Sequence, residues 1–314
     1  MAPHGGDTVS AYTVQPSTRL REYLASMSVA HASVYRRSRI AALLLLATIS
    51  IPNGVFAQSA PAGQGGEVIG RSVEGRPITV TRMGSGPIDV ILVGGIHGGY
   101  EANSILLARR FAEHFRNAVD ELAPEFTLHV IENMNPDGLY RITGGADPAA
   151  FDFRAVDTVP GRFNARGVDL NRNWDGQWRP VSYWRGREVD AGDEPFSEPE
   201  TRAVRDYFLR VDPTASVFFQ SAAAFLWYSG AEEGWDASLQ LARAYSAGSG
   251  YRVLQPRGGD DDDDFDITGS ADDYFYTIGH RNVTVELTTH YEIEWERNLA
   301  GVRSLLGALR RERR

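Results

Sequence analysis

The sequence predicts an α/β fold: a single domain whose mixed, mainly parallel sheet is flanked by helices on both faces. Three observations point there. Apolar runs such as IDVILV at residues 88–93 suit strands buried on both sides. Segments with apolar residues at i, i+3, i+4 and i+7 fall between such runs. The two kinds alternate along the chain beyond residue 65, with no internal repeat and no dividing linker.

The N-terminal part reads as a targeting segment. Residues 40–51, IAALLLLATISI, are interrupted only by Thr48 and Ser50 and follow Arg36, Arg37 and Arg39. The run is too short to span a bilayer comfortably and suits the apolar part of a secretory signal. Val55-Phe56-Ala57 places small residues where a signal peptidase reads, so cleavage is expected after Ala57. Residues 1–57 are then a signal peptide with an N-terminal extension before a second start at Met27, 58–65 a short linker, and 66–314 the folded domain. An uncleaved membrane anchor is the alternative.

Within the domain, residues 67–82 form two strand-like pieces around Glu74-Gly75, a hairpin signal. The strand 88–93 stops at Gly94-Gly95. A helix is expected over 104–119, carried by Ile105, Leu106, Leu107, Phe111, Phe115 and Val119. Residues 126–131 alternate Phe126, Leu128 and Val130 with Thr127 and His129, a strand pattern. Ser197-Glu198-Pro199-Glu200 reads as a capping box, with Val204, Tyr207, Phe208 and Val211 as the apolar stripe of the helix behind it. Strands are expected at 216–219 and 282–287, and helices at 235–246 and 298–310. Gly258-Gly259 and the aspartates at 260–264 read as a solvated loop, or as an acidic rim that attracts a basic peptide or a divalent cation.

Composition removes several functions. The 314 residues carry a formal charge of −9, which leaves no general basic face for nucleic acid. There is no cysteine, hence no disulfide, thiolate metal site or cysteine nucleophile. All 32 basic side chains counted as Lys or Arg are arginine, which removes lysine Schiff-base chemistry and a phosphate-loop lysine.

Five motifs follow in order. His97 and Glu101 lie just past the first buried strand in GGIHGGYE, placed so that both side chains reach one metal ion. Asn135-Pro136-Asp137-Gly138 follows a strand, then GVDLNRNW at 167–174, PFSEPET at 195–201 and VTVELTTH at 283–290. Together with GRSVEGRPITV at 70–80, this ordered set resembles the zinc metallocarboxypeptidases, the carboxypeptidase A-like family. The resemblance covers roughly residues 66–310. It implies one bound Zn²⁺ with His97 and Glu101 as ligands, the pair spaced one residue wider than the usual His-x-x-Glu. It implies Glu286 as general base, passing a proton from water to the leaving amine. A glutamate between valine and leucine needs a partner, which argues against a plain solvent-facing residue.

The resemblance also implies that Asn171 and Arg172 grip the terminal carboxylate of a peptide, a task suited to the planar arginine fork. Arg162 is the candidate for stabilising the oxyanion, with Arg166 its competitor. Asp272 lies near the position that selects the substrate side chain, where an acid would favour Arg or Lys. Trp174 reads as scaffold.

One departure bears on activity. The third zinc ligand of the family is a histidine, and the matching position in ASVFFQSAAAF is Gln220, whose neutral amide oxygen is a poorer donor than imidazole. His290 is the one other histidine considered as a substitute. Three functions remain open: an exported zinc carboxypeptidase, periplasmic or extracellular; a pseudoenzyme that binds peptide or murein stem ends without hydrolysis; and a murein peptide amidohydrolase. The expected partner is a peptide or murein peptide with a free carboxylate. No nucleic acid, no stable membrane insertion after signal cleavage, and a monomer are expected.

Overall fold

The computed structural model describes residues 66–228, 236–254 and 268–313. The signal segment, the linker 58–65 and the aspartates at 260–264 lie outside the described residues.

Eight strands form one mixed sheet. They are β1 (Glu67–Arg71), β2 (Pro77–Gly84), β3 (Ile88–Val93), β4 (Phe126–Ile131), β7 (Ala215–Ser221), β8 (Phe225–Tyr228), β9 (Arg252–Val253) and β10 (Asn282–Leu287). Their order is β1-β2-β4-β3-β7-β10-β8-β9. The central β4, β3, β7 and β10 run parallel, and β2 and β8 lie antiparallel on either side. A separate hairpin pairs β5 (Val181–Trp184) with β6 (Arg187–Asp190). The helices are α1 (Ala102–Asn117), α2 (Pro136–Thr143), α3 (Pro199–Val211), α4 (Asp236–Ser249), α5 (Ala271–Ile278) and α6 (Trp295–Glu312).

The period of two along each strand makes two cores. Ala215, Val217 and Phe219 of β7 join Val283, Val285 and Leu287 of β10 in the larger one, beneath α1, α4 and α6. There Phe111 of α1 stacks on Phe219 with ring centroids 5.5 Å apart. On the opposite face Phe218 meets Trp174, Phe208 and Phe275. Trp174 is fully buried in this aromatic cluster. Strand β4 is buried along its whole length rather than on alternate residues. Its polar His129 sits between the Tyr207 hydroxyl and Asp89, 2.7 Å from each.

Strands 88–93, 126–131 and 282–287 coincide with the expected bounds, and the helices differ by a few residues at their ends. The capping box at Ser197 and Glu200 is not formed. The N-cap is Glu198, without a side-chain bond to the helix. Ser197 instead accepts from Asn173 Nδ2 at 2.8 Å, and Glu200 accepts from the Val73 backbone N–H at 3.0 Å. Tertiary donors took the groups that local capping would have used. Asn135-Pro136-Asp137-Gly138 opens α2: Asn135 Oδ1 accepts from Gly138 N at 2.9 Å and Pro136 fills the first helical turn. A capping box does start α5, between Ser270 and Asp273.

The alternation of faces is testable. Phe219→Ala should cost about 3–5 kcal/mol of unfolding free energy by urea denaturation. Gln220→Ala, one residue along and on the other face, should cost under about 1.5 kcal/mol. Equal losses would contradict the two-core arrangement.

Candidate active site

The C-terminal ends of parallel strands β3, β7 and β10 lie side by side, where backbone runs out and side chains take over. After β3 the chain turns sharply through a 3-10 segment at Gly98–Glu101, which swings Glu101 back towards His97. Gly98 makes the turn at φ +46°, and a Cβ there would fall 2.7 Å from the Gly161 carbonyl oxygen. His97 Nδ1 ends 2.8 Å from Glu101 Oε1, with both side chains buried.

Behind them stands Asp169, from the GVDLNRNW segment. Its Oδ2 accepts from Arg162 Nε at 2.8 Å and lies 2.8 Å from Arg162 Nη2, a two-pronged pairing. Its Oδ1 accepts from the Asn171 backbone N–H at 3.0 Å and faces His97 Nε2 at 3.4 Å. That last contact is close enough for charge interaction but too poorly aligned for a hydrogen bond, so His97 Nε2 and Glu101 Oε2 remain without hydrogen-bond partners among the described residues. Burial alone would raise the Asp169 carboxyl. The charge of Arg162, with His97 and the charge of Arg172, outweighs it and holds the group well below the usual carboxylate range.

Arg162 is therefore fixed in the plane by Asp169. Its face lies 4.4 Å from the Trp184 ring centre and its Nη1 lies 3.8 Å from Glu101 Oε1. Arg166 is elsewhere, largely exposed and 3.4 Å from Glu198.

The register of β7 and β10 sets Glu286 directly beside Gln220. Glu286 is partly open to the cleft. Burial raises its carboxyl, the negative charges of Glu101 and Asp272 raise it further, and Arg162 opposes them. Gln220 Oε1 accepts one long bond from Asn171 Nδ2 at 3.4 Å. Asn171 Oδ1 accepts from the Ala271 backbone N–H at 3.0 Å, which ties the segment to the start of α5.

Arg172 is buried. Its Nε and Nη2 donate to the Tyr183 carbonyl at 3.3 and 3.0 Å, and its Nη1 donates to the Asn171 carbonyl at 2.7 Å. Three of the five N–H bonds of its guanidinium are thus engaged with backbone. Asp272 is buried as well, accepting from Asn282 Nδ2 at 2.7 Å and Thr284 Oγ1 at 2.9 Å. Burial pushes its carboxyl up to about 7, with Asp273 adding to the rise and the Thr284 and Asn282 bonds opposing it.

For a divalent metal, His97 and Glu101 supply an imidazole nitrogen and a carboxylate of suitable type, with Asp169 placed to fix the ring from behind. The orphaned Glu101 Oε2 is what a bound cation would satisfy. Among the described residues no three His, Cys, Asp or Glu side chains gather as a metal site. His290 thus does not complete such a group, and Gln220 is left as the neighbouring donor. Sequence reasoning missed Asp169, although an acid between Val168 and Leu170 carries the same signal that singled out Glu286. It also missed the aromatic wall of Tyr100 and Trp184, whose rings meet edge to face at 5.3 Å.

Comparisons with known proteins bear on the family and the fold. The family described as zinc carboxypeptidase matches residues 57–296. A carboxypeptidase B from Astacus astacus is 30% identical over 160 residues, 48% of this chain and 52% of that protein. The human carboxypeptidase N catalytic chain is 34% identical over 119 residues, 34% of this chain and 25% of that protein. The match thus spans about half or less of these relatives. Among solved structures, a thrombin-activatable fibrinolysis inhibitor superposes with TM-score 0.59 at 19% identity, covering 78% of this chain and 71% of that one. A murein-tripeptide amidase from Escherichia coli O157 gives TM-score 0.53 at 23% identity, covering 78% and 92%. At these identities the structural likeness speaks for the fold.

Removing Asp169 strands two buried cationic or polar neighbours, so Asp169→Asn should cost about 3–5 kcal/mol in urea denaturation at neutral pH. The pH sign follows from the depressed carboxyl. Its stabilisation is complete above its unfolded value near 3.8 and is lost as pH falls towards the lower folded value. Unfolding free energy should therefore fall more steeply for the wild type than for Asp169→Asn as pH drops from about 5 to about 3. Parallel slopes would remove Asp169 from this role.

Proposed function

Because the chain belongs to the zinc carboxypeptidase family, we propose that it is an exported, zinc-dependent hydrolase that removes C-terminal residues from peptides. The observation that carries this reading is the convergence of His97, Glu101, Arg162 and Glu286 on one cleft at the C-terminal ends of β3, β7 and β10.

His97, Glu101 and the amide oxygen of Gln220 would hold the Zn²⁺. Bound there, zinc supplies a Lewis acid that polarises the scissile carbonyl and activates water. Glu286 stands in a site that raises its proton affinity, so it takes a proton from the attacking water and delivers it to the departing amine. Arg162, locked by Asp169 and backed by Trp184, keeps Nη1 directed at the cleft to meet the developing negative oxygen. The two N–H bonds of Arg172 left over from its backbone carbonyls take the substrate carboxylate, next to Asn171. Asp272, below Glu286, lines the pocket for the departing side chain. The family match begins at residue 57, beside the expected cleavage after Ala57, in keeping with a separate segment ahead of the domain. No described helix is long and apolar enough to cross a membrane.

Gln220 favours one second reading: the cleft binds peptide or murein stem ends and hydrolyses nothing. Metal analysis of purified protein beside Gln220→His separates the two. Stoichiometric zinc in the wild type with cleavage of a free-carboxylate peptide supports the hydrolase. Zinc and cleavage in the variant alone would make the natural protein a binder.

Gln220→His should tighten zinc binding by about 10–100-fold in chelator competition. Glu286→Gln should lower kcat by about 10²–10⁴-fold while zinc content stays unchanged. Arg172→Ala should erase the preference for a free over an amidated C-terminus; a preference that survives would refute its anchoring role.

A further inference from the structure

Strand β5 lies along the cleft like a graduated edge. The Tyr183 carbonyl meets Arg172, the next residue's indole stacks on Arg162, and Arg185 follows at the hairpin tip. With about 3.3 Å per strand residue, the three positions step from the end that takes the terminal carboxylate, past the bond to be cleaved, to the side where the rest of the peptide must lie. That direction rests on the proposed hydrolase reading.

Arg185 is held in place and has no acidic partner among the described residues. Trp184 pairs with Arg187 across a two-residue turn, with Arg185 at φ +51° and Gly186 at φ +68°. Such a primed turn fits the twist of the hairpin and fixes its tip. The Arg185 guanidinium sits 5.3 Å from the Trp184 ring centre and is exposed. Among the described residues no acid lies within ion-pair distance of it. Its charge is close enough to Tyr100 and His290 to act on both.

The protonation of His290 follows from its neighbours. Asn103 Nδ2 donates to the carbonyls of Thr289 and Glu292, at 2.6 and 3.2 Å, which makes its Oδ1 the acceptor. Ser221 Oγ donates its proton to that oxygen at 3.0 Å. The serine oxygen must then accept from His290 Nδ1 at 3.0 Å. A neutral imidazole carries one proton, so Nε2 keeps its lone pair. Burial holds this ring in the neutral form by lowering its proton affinity. The ring rests 4.6 Å from that of Tyr100. The far end of the cleft thus offers a cation with no acidic partner among the described residues, a bare acceptor nitrogen and an aromatic floor.

We propose that Arg185 and His290 form a subsite on the N-terminal side of the cleaved bond that selects a residue bearing a carboxylate, Arg185 pairing with the carboxylate and His290 Nε2 accepting a neighbouring peptide N–H.

Two blocked peptides identical except for Glu or Gln next to the C-terminal residue test this. Their Kd by calorimetry and their kcat/KM are compared for the wild type, Arg185→Ala, His290→Ala and a control, Arg187→Ala, altered at an exposed residue of the same hairpin. The wild type should favour Glu by about tenfold in Kd, less at high salt. Arg185→Ala should level the two peptides, and Arg187→Ala should leave the preference intact. His290→Ala should weaken both peptides alike, since the N–H is common to them. Equal Kd values in the wild type, no binding of either peptide, or a preference that survives Arg185→Ala would overturn the subsite. Preferential binding without cleavage would keep the subsite and remove the hydrolase reading; cleavage without preference would do the reverse.

Discussion

The site depends on one buried carboxylate. Asp169 holds the Arg162 fork on one oxygen and faces His97 with the other. A lone carboxylate in that position would cost several kcal/mol to bury. The arginine charge repays this, and in doing so fixes the orientation of two other side chains. His97 must present Nδ1 to the cleft because Nε2 faces the acid. Arg162 must present Nη1 because Nε and Nη2 are taken. Preorganisation of this kind is what makes a charged group useful to a reaction, since no reorientation is needed when charge develops.

The hairpin of β5 and β6 adds a second layer of control. It is small and peripheral to the main sheet, yet its backbone holds Arg172 and its indole covers Arg162. The two cations assigned to the two ends of the reacting residue are therefore spaced by consecutive residues of one strand. A shift of this hairpin would move both, and so would couple the two roles proposed for these arginines. Arg185 extends the same spacing one residue further.

Gln220 stands where the resemblance leads one to expect a histidine. Its register partner Glu286 lies near Glu101, and burial first, with the charges of Glu101 and Asp272 adding to it, raises the Glu286 carboxyl. A cation is the natural relief for that arrangement, and a neutral amide adds a donor without adding charge. The weak bond from Asn171 to Gln220 leaves that donor available to turn.

Much of this was legible in the residues themselves. The apolar run broken only by Asp89 marked β3, and Val283, Val285 and Leu287 marked β10, with the bounds the structure keeps. The ordered motifs resembled a known family, and that resemblance pointed to His97, Glu101, Arg162, Arg172 and Glu286. Local signals failed where distant partners compete for the same atoms. Ser197 and Glu200 looked like a capping box, but Asn173 and Val73 lie closer to their side chains in the fold. Only tertiary structure decided that Asp169 stands behind His97, that Arg172 spends most of its donors on backbone, and that β5 lies over the cleft. Those facts depend on which segments meet across the sheet, and hydrophobic periodicity carries a residue's preference for burial but no record of the neighbour it will be buried against.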